Sequence, residues 1–168
     1  GPKKARGGLT LLADRRLDEA PAPQIVLVPG GSGVDGVIQD PAVLEWIRNA
    51  HRTSLFTASV CTGSLVLGAA GLLKGLKATT HWNYRDRLAA FGADVVTERV
   101  VREGKIVTAA GVSAGIDMSL RMVQWMAGDK AAQAIQLGIE YDPDPPFDAG
   151  SPEKAPPEIV EILRNARR

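Results

Sequence analysis

The chain has 168 residues, room for one compact domain, and with 45% apolar and 23% charged side chains it can bury a full-sized core. Its 20 Lys and Arg against 19 Asp and Glu leave a net charge of +1, which argues against a nucleic-acid-binding face. No apolar run approaches the roughly 18–20 residues of a membrane span, and a single cysteine, Cys61, with His51 and His81 as the two histidines, excludes an internal disulfide framework and argues against a Cys/His zinc site.

Gly1-Pro2-Lys3-Lys4 has neither an initiator Met nor a signal-type apolar segment, so the cytoplasm is the expected compartment. The first ten residues are basic and Gly-rich, and after Gly7-Gly8 a short strand is expected at Leu9 to Leu12. Gln24-Ile25-Val26-Leu27-Val28 is a continuous apolar run closed by Pro29-Gly30-Gly31-Ser32-Gly33, the pattern of a parallel strand buried on both faces. Asp40-Pro41 reads as an N-cap and first helical residue, because the carboxylate accepts orphan N–H groups and proline has no donor to waste there. Val43, Leu44, Ile47 and Ala50 give that helix its apolar face, and His51 near its end is expected in solvent, favoured by the C-terminal dipole.

A second buried strand is expected at Leu55 to Val60, with Cys61 directly after it. Thr62 to Leu73 reads as a helix interrupted by Gly63, Gly68 and Gly71, each costing roughly 1 kcal/mol, so it needs close packing to form. A third helix fits Trp82 to Phe91, stopped by Gly92. Strands follow at Ala93 to Val96, Glu98 to Arg102 and Lys105 to Ala109, the last two turned at Glu103-Gly104. Helices are expected at Ser113 to Ala127, apolar almost all round and hence buried, at Asp129 to Tyr141, and at Pro157 to Arg167. Asp117 within the first of these is either a first-turn carboxylate suited to the dipole or in need of a buried partner. Arg121, Met122, Trp125 and Met126 have the spacing of a core or subunit face. Alternating strands and helices point to an α/β fold, an open parallel sheet with helices on both faces.

Sites in such folds lie beyond the carboxyl ends of the strands. Pro29 to Gly33 and Val60 to Gly63 have that position. Ser59-Val60-Cys61-Thr62-Gly63-Ser64 resembles a nucleophile elbow, the sharp strand–turn–helix that exposes a reactive side chain above a sheet. A thiol there meets the helix N-terminus, and the Gly30, Gly31 and Thr62 amides are candidate donors to developing negative charge. The alternative is a buried core thiol. His81, after Ala78-Thr79-Thr80, is a candidate proton relay, or else the cap of the helix it precedes. The glycine cluster lacks the lysine of a phosphate loop and the spacing of a dinucleotide fingerprint, so nucleotide binding is not expected.

Val28-Pro29-Gly30-Gly31-Ser32-Gly33, Ser59-Val60-Cys61-Thr62-Gly63-Ser64, Ala78-Thr79-Thr80-His81-Trp82 and Gly115-Ile116-Asp117 together resemble the ThiJ/PfpI superfamily, the class I glutamine-amidotransferase-like group of flavodoxin-like domains. With the tail Glu140-Tyr141-Asp142-Pro143 through Pro146-Phe147-Asp148-Ala149-Gly150-Ser151-Pro152, the elbow resembles that of the isonitrile hydratases. The resemblance runs from about Gly8 to about Pro157. It implies Cys61 as nucleophile, Thr62 as a polar participant, and hydration of R–N≡C to the N-substituted formamide with no metal or organic cofactor. It places His81 where other members keep a histidine near the sulfur, and it implies a homodimer acting on a small molecule, with no nucleic acid and no membrane as partner.

Members of that superfamily begin with a strand and a helix carrying an acidic residue that meets the cysteine. This chain starts near the second strand, and Asp14, Asp18 and Glu19 lie in no matching context. The expectation is one ThiJ/PfpI-like domain over residues 1–168, completed by a separate N-terminal segment or chain. A truncated chain and a divergent inactive relative are the alternatives. Two other functions compete: a small-molecule-sensing module, and glyoxalase or redox chemistry at the same thiol.

Overall fold

The computed structural model of the protein describes residues 1–5 and 8–166; Gly7 of the expected first turn and Arg167 of the expected last helix lie outside the described residues. The chain divides into two compact units, Gly1–Ala114 and Gly115–Arg168.

In the first unit, β1 (Pro2–Lys4) pairs antiparallel with β2 (Thr10–Leu12), and both are exposed throughout. The expected Leu9–Leu12 strand is therefore present, with a partner the basic start did not announce. Next come β3 (Ile25–Val28), α1 (Val34–Val37), α2 (Pro41–Thr53), β4 (Phe56–Val60) and α3 (Gly63–Ala69). They are followed by β5 (Lys77–Ala78), α4 (Arg85–Ala89), β6 (Asp94–Val95), β7 (Val100–Glu103) and β8 (Ile106–Ala109). The main sheet has the order β3-β4-β8-β7. Its first three strands are parallel and β7 is antiparallel to β8, turned at Gly104 with φ 59°. This is the expected α/β class with a parallel sheet, and it is flavodoxin-like. β5 and β6 form a separate parallel pair.

Local chemistry sets several boundaries. Asp40 Oδ1 accepts from Ala42 N at 2.9 Å and Val43 N at 3.3 Å, so α2 starts where its cap and proline dictate. Gly92 ends the α4 segment at φ 84°, a value open to glycine at little cost. The helix expected from Thr62 to Leu73 stops at Ala69, and Gly71 turns the chain at φ 79°. The expected Trp82–Phe91 helix begins with a 3-10 turn at Trp82–Tyr84. Ile47, Leu65, Leu67, Leu73 and Leu88 fill the core of the unit, each such side chain contributing about 1.5–3 kcal/mol by leaving water.

β3 departs from expectation. Its apolar run implied burial on both faces, yet Ile25 is 40% and Leu27 53% exposed while Val26 is buried. The reason is topological: β3 is an edge strand, hydrogen-bonded on one side to β4. His51 departs too. It is half-buried, its Nδ1 lies 2.9 Å from Thr57 Oγ1, and Lys105 joins Arg52 as a cation at the α2 C-terminus. Lys105 Nζ donates to the carbonyls of His51, Arg52 and Ser54, the last two at 3.3 and 3.2 Å. That contact answers the orphan carbonyls and the negative end of the helix dipole.

In the second unit, α5 (Ala114–Ala127), α6 (Asp129–Gly138) and α7 (Pro157–Asn165) follow in order. α5 is not buried all round, because Met118 and Met122 are buried while Ile116 and Met126 are exposed. Asp117 lies in its first turn and accepts a hydrogen bond from the Tyr141 hydroxyl at 2.8 Å.

Burial, and then the Lys105 ammonium, hold the His51 pKa below its ordinary 6.5. The folded state thus prefers neutral His51, and the unfolded chain takes up the proton at higher pH. The stability this supplies is complete above 6.5 and declines as the pH falls through 6.5 toward the lower folded value. Urea unfolding midpoints at about pH 7.5 and about pH 5.5 will show that decline, and His51→Gln will flatten it.

Candidate functional site

β3, β4 and β8 are parallel, so Pro29, Cys61 and Ala110 stand at one end of the sheet, just past their carboxyl termini. Cys61 is partly exposed and its φ is 59°. The left-handed region costs an L-residue about 1–2 kcal/mol and persists where the surroundings enforce it. Here they do. Cys61 N–H continues the β4–β8 ladder by donating to Ala109 O at 3.0 Å. Its carbonyl accepts two hydroxyls, from Ser64 at 3.2 Å and Thr80 at 3.0 Å. The thiol is thus neither sealed in the core nor on a relaxed loop.

Two glycines explain how the turn fits. A Cβ on Gly63 would lie 2.0 Å from the Val28 carbonyl oxygen, so the first turn of α3 rests directly on the end of β3. A Cβ on Gly30 would lie 2.7 Å from Thr62 Oγ1, 2.8 Å from Thr62 N and 2.9 Å from Cys61 Cβ. The Pro29–Gly31 loop and the Cys61–Thr62 peptide therefore touch backbone to backbone.

The candidate donors differ in what they already do. Gly31 N–H donates to Thr62 Oγ1 at 3.0 Å, which fixes the Thr62 hydroxyl as an acceptor and leaves its own proton to give. Among the described residues the Gly30 and Thr62 N–H groups have no acceptor, so both are unspent backbone donors beside Cys61. The loop after β8 is held by Arg99, whose guanidinium donates to Ser113 Oγ at 3.1 Å and whose carbonyl accepts from Ala110 N at 3.0 Å.

His81 follows Thr80, whose hydroxyl is on the Cys61 carbonyl, so the backbone of this segment reaches the elbow. Its Nδ1 accepts from Asn83 N–H at 3.3 Å, capping the 3-10 turn at Trp82–Tyr84. In the neutral ring that leaves the proton on Nε2. The ring also stacks near Trp82 and meets Tyr84 edge-on, with centroids 5.7 and 6.0 Å away. Thr80 and Ser64, both buried, are the contributors to the site that the sequence did not single out. Their hydroxyl positions were legible in the text of the chain, but their shared acceptor was not. No cluster of three or more His, Cys, Asp or Glu suited to a metal occurs among the described residues.

A parallel sheet crowned by a cysteine in a left-handed strand–helix turn defines a class, and the comparisons agree on which one. Residues 1–125 match the DJ-1/PfpI family, and the chain belongs to it. It is 45% identical over 163 residues to isonitrile hydratase from Pseudomonas putida, a match covering 97% of this chain and 72% of that protein. It is 30% identical over 143 residues to the HTH-type transcriptional regulator CdhR from Pseudomonas aeruginosa, covering 84% of this chain and 42% of the regulator. A crystal structure of a ThiJ/PfpI family protein from Pseudomonas syringae superposes with a TM-score of 0.94 at 39% identity, covering 99% of this chain and 69% of that one.

If the elbow needs the backbone contact at Gly63, Gly63→Ala will destabilise the protein by about 2 kcal/mol or more, since the blocking atom is a main-chain oxygen. Thermal unfolding of the variant measures this directly.

Proposed function

We propose that the protein hydrates isonitriles to N-substituted formamides, with Cys61 as nucleophile. The observation that carries this reading is the strained, partly exposed Cys61 turn. The 45% identity to an isonitrile hydratase supports the choice of substrate.

In this reading the Cys61 sulfur adds to the terminal carbon of R–N≡C while a proton is delivered to the same carbon, giving the thioimidate R–N=CH–S–Cys61. Water then adds to that carbon, the nitrogen takes a proton, and the C–S bond breaks to return the thiol and release R–NH–CHO. No electrons are gained or lost overall. Thr62 and Gly30 N–H groups receive the charge that develops on oxygen when water adds. The Thr62 hydroxyl orients the water, and His81, with its proton on Nε2, serves proton transfer. Gly31 acts one step back, holding the Thr62 hydroxyl. Neither a metal nor an organic cofactor takes part.

Cys61→Ala will abolish formamide release from an alkyl isonitrile, followed by chromatography of the product, while leaving the circular dichroism unchanged. Thr62→Val will reduce kcat about tenfold or more. Formamide release from Cys61→Ala at the wild-type rate rejects the reading. The similarity to CdhR favours a second reading, a small-molecule-sensing module, which tight isonitrile binding without turnover would support.

The protein's partner, in the same proposal, is a segment with an apolar strand that pairs with the free edge of β3 and brings an acidic side chain to the sulfur. A groove of about 340 Å³ runs along that edge, lined by Ile25, Val28, Val37, Val43 and Trp46 among others, and Ile25 and Leu27 are exposed beside it. Apolar edge strands invite pairing. The Pseudomonas putida relative has chain outside the match, which covers 72% of it. Co-expressing that remaining part with this chain will give a complex that co-elutes on size exclusion and raises formamide output, and Leu27→Lys will weaken it. Separate elution with unchanged activity rejects the partner.

A further inference from the structure

The Cys61 carbonyl carries two hydroxyl donors of different origin. Ser64 belongs to the same turn, three residues on, and makes a local bond of the kind serines form near helix starts. Thr80 lies nineteen positions away, is 1% exposed, and reaches the carbonyl from the segment that follows β5.

A peptide unit is planar, with its C=O and N–H on opposite sides. Fixing the Cys61 carbonyl on Thr80 and Ser64 therefore turns the Thr62 N–H to the other side. The peptide before Cys61 is fixed as well, through the ladder bond to Ala109. With both flanking peptides held, the Cα of Cys61 has one orientation and its Cα–Cβ bond one direction. Loss of the distant hydroxyl would free the Cys61–Thr62 peptide to rotate about Cys61 ψ and Thr62 φ, which swings its C=O and its N–H away from their present directions while φ stays set by the ladder bond.

We propose that Thr80 is a positioning residue for Cys61: its hydroxyl holds the Cys61–Thr62 peptide in its present orientation, aims the Thr62 N–H as a charge-stabilising donor, and ties the His81 segment to the nucleophile. Thr80 touches neither substrate nor sulfur in this role. The proposal rests on Cys61 being the reactive group, and not on the substrate being an isonitrile.

The test compares Thr80→Val and Thr80→Ser with the unaltered protein in two assays, carboxamidomethylation of Cys61 by iodoacetamide and formamide production from an alkyl isonitrile. Thr80→Val is expected to change the alkylation rate and lower kcat, each by about tenfold or more, with KM within about twofold. Thr80→Ser, which keeps the hydroxyl, is expected to restore both to within about threefold. Should Thr80→Val fail to fold, Thr80→Ala carries the same expectation. Wild-type alkylation rates in the folded Val or Ala variant overturn the proposal, as does a serine variant that behaves like valine. The alkylation assay decides even if the unaltered protein hydrates no isonitrile, a result that would reject the substrate assignment alone.

Discussion

The structure turns on the backbone of one residue. Cys61 adopts φ 59° because the sheet claims its N–H and two hydroxyls claim its C=O. A cysteine left to itself would leave that region and recover about 1–2 kcal/mol. The remainder of the fold supplies what prevents it. The main sheet's β4 delivers Cys61 one step past its last strand residue, and α3 begins so close to the end of β3 that a methyl group at Gly63 has no room. The placement of Cys61 and the packing of the sheet are thus one problem with one solution.

The groups that hold the turn are neutral. The buried polar side chains among the described residues are Ser54, Thr57, Ser59, Thr62, Ser64, Thr79, Thr80 and Thr108, every one a hydroxyl. A hydroxyl gives one hydrogen bond and takes others without an ionic charge to strip of water. It can therefore brace a peptide in the interior at small cost, where a carboxylate would need a counter-charge and would impose its field on the thiol. Thr108 shows the principle away from the elbow: its Oγ1 accepts from Thr79 N, seating the segment that carries Thr80 and His81.

What the sequence revealed was what neighbours in the chain decide. Asp40 and Pro41 announced the start of α2, Gly104 the β7–β8 turn, and Ser59 through Ser64 the elbow, because each signal and its consequence lie within a few residues. Contacts across the fold were silent. Ile25-Val26-Leu27-Val28 reads the same whether or not a strand lies on its outer side, so its edge position could not be read. His51 looked like a solvent histidine because its ring partner Thr57 lies beyond the end of its helix and Lys105, which meets its carbonyl, is 54 residues away. Thr80 lay inside a segment that carries the family resemblance, but nothing marked its hydroxyl, since its partner is a main-chain oxygen. The family resemblance recovered the fold and the elbow; the bracing of that elbow took the coordinates.

β3 joins these observations. It carries Pro29 to Gly31, the loop that meets Thr62, yet it is an edge strand, supported by the sheet on one side. Its position against the elbow is set by backbone contact, Gly63 on Val28 and Gly30 on Thr62, with the Gly31 N–H on Thr62 Oγ1 as the hydrogen bond between them. The backbone contacts resist approach, while that hydrogen bond and the β3–β4 ladder resist separation. On its outer side that edge, with Ile25 and Leu27 exposed, has no neighbour in the sheet among the described residues. The loop that carries the Gly30 N–H is thus placed by β3, so the sheet edge and the backbone donors beside Cys61 share one support, the β3–β4 ladder.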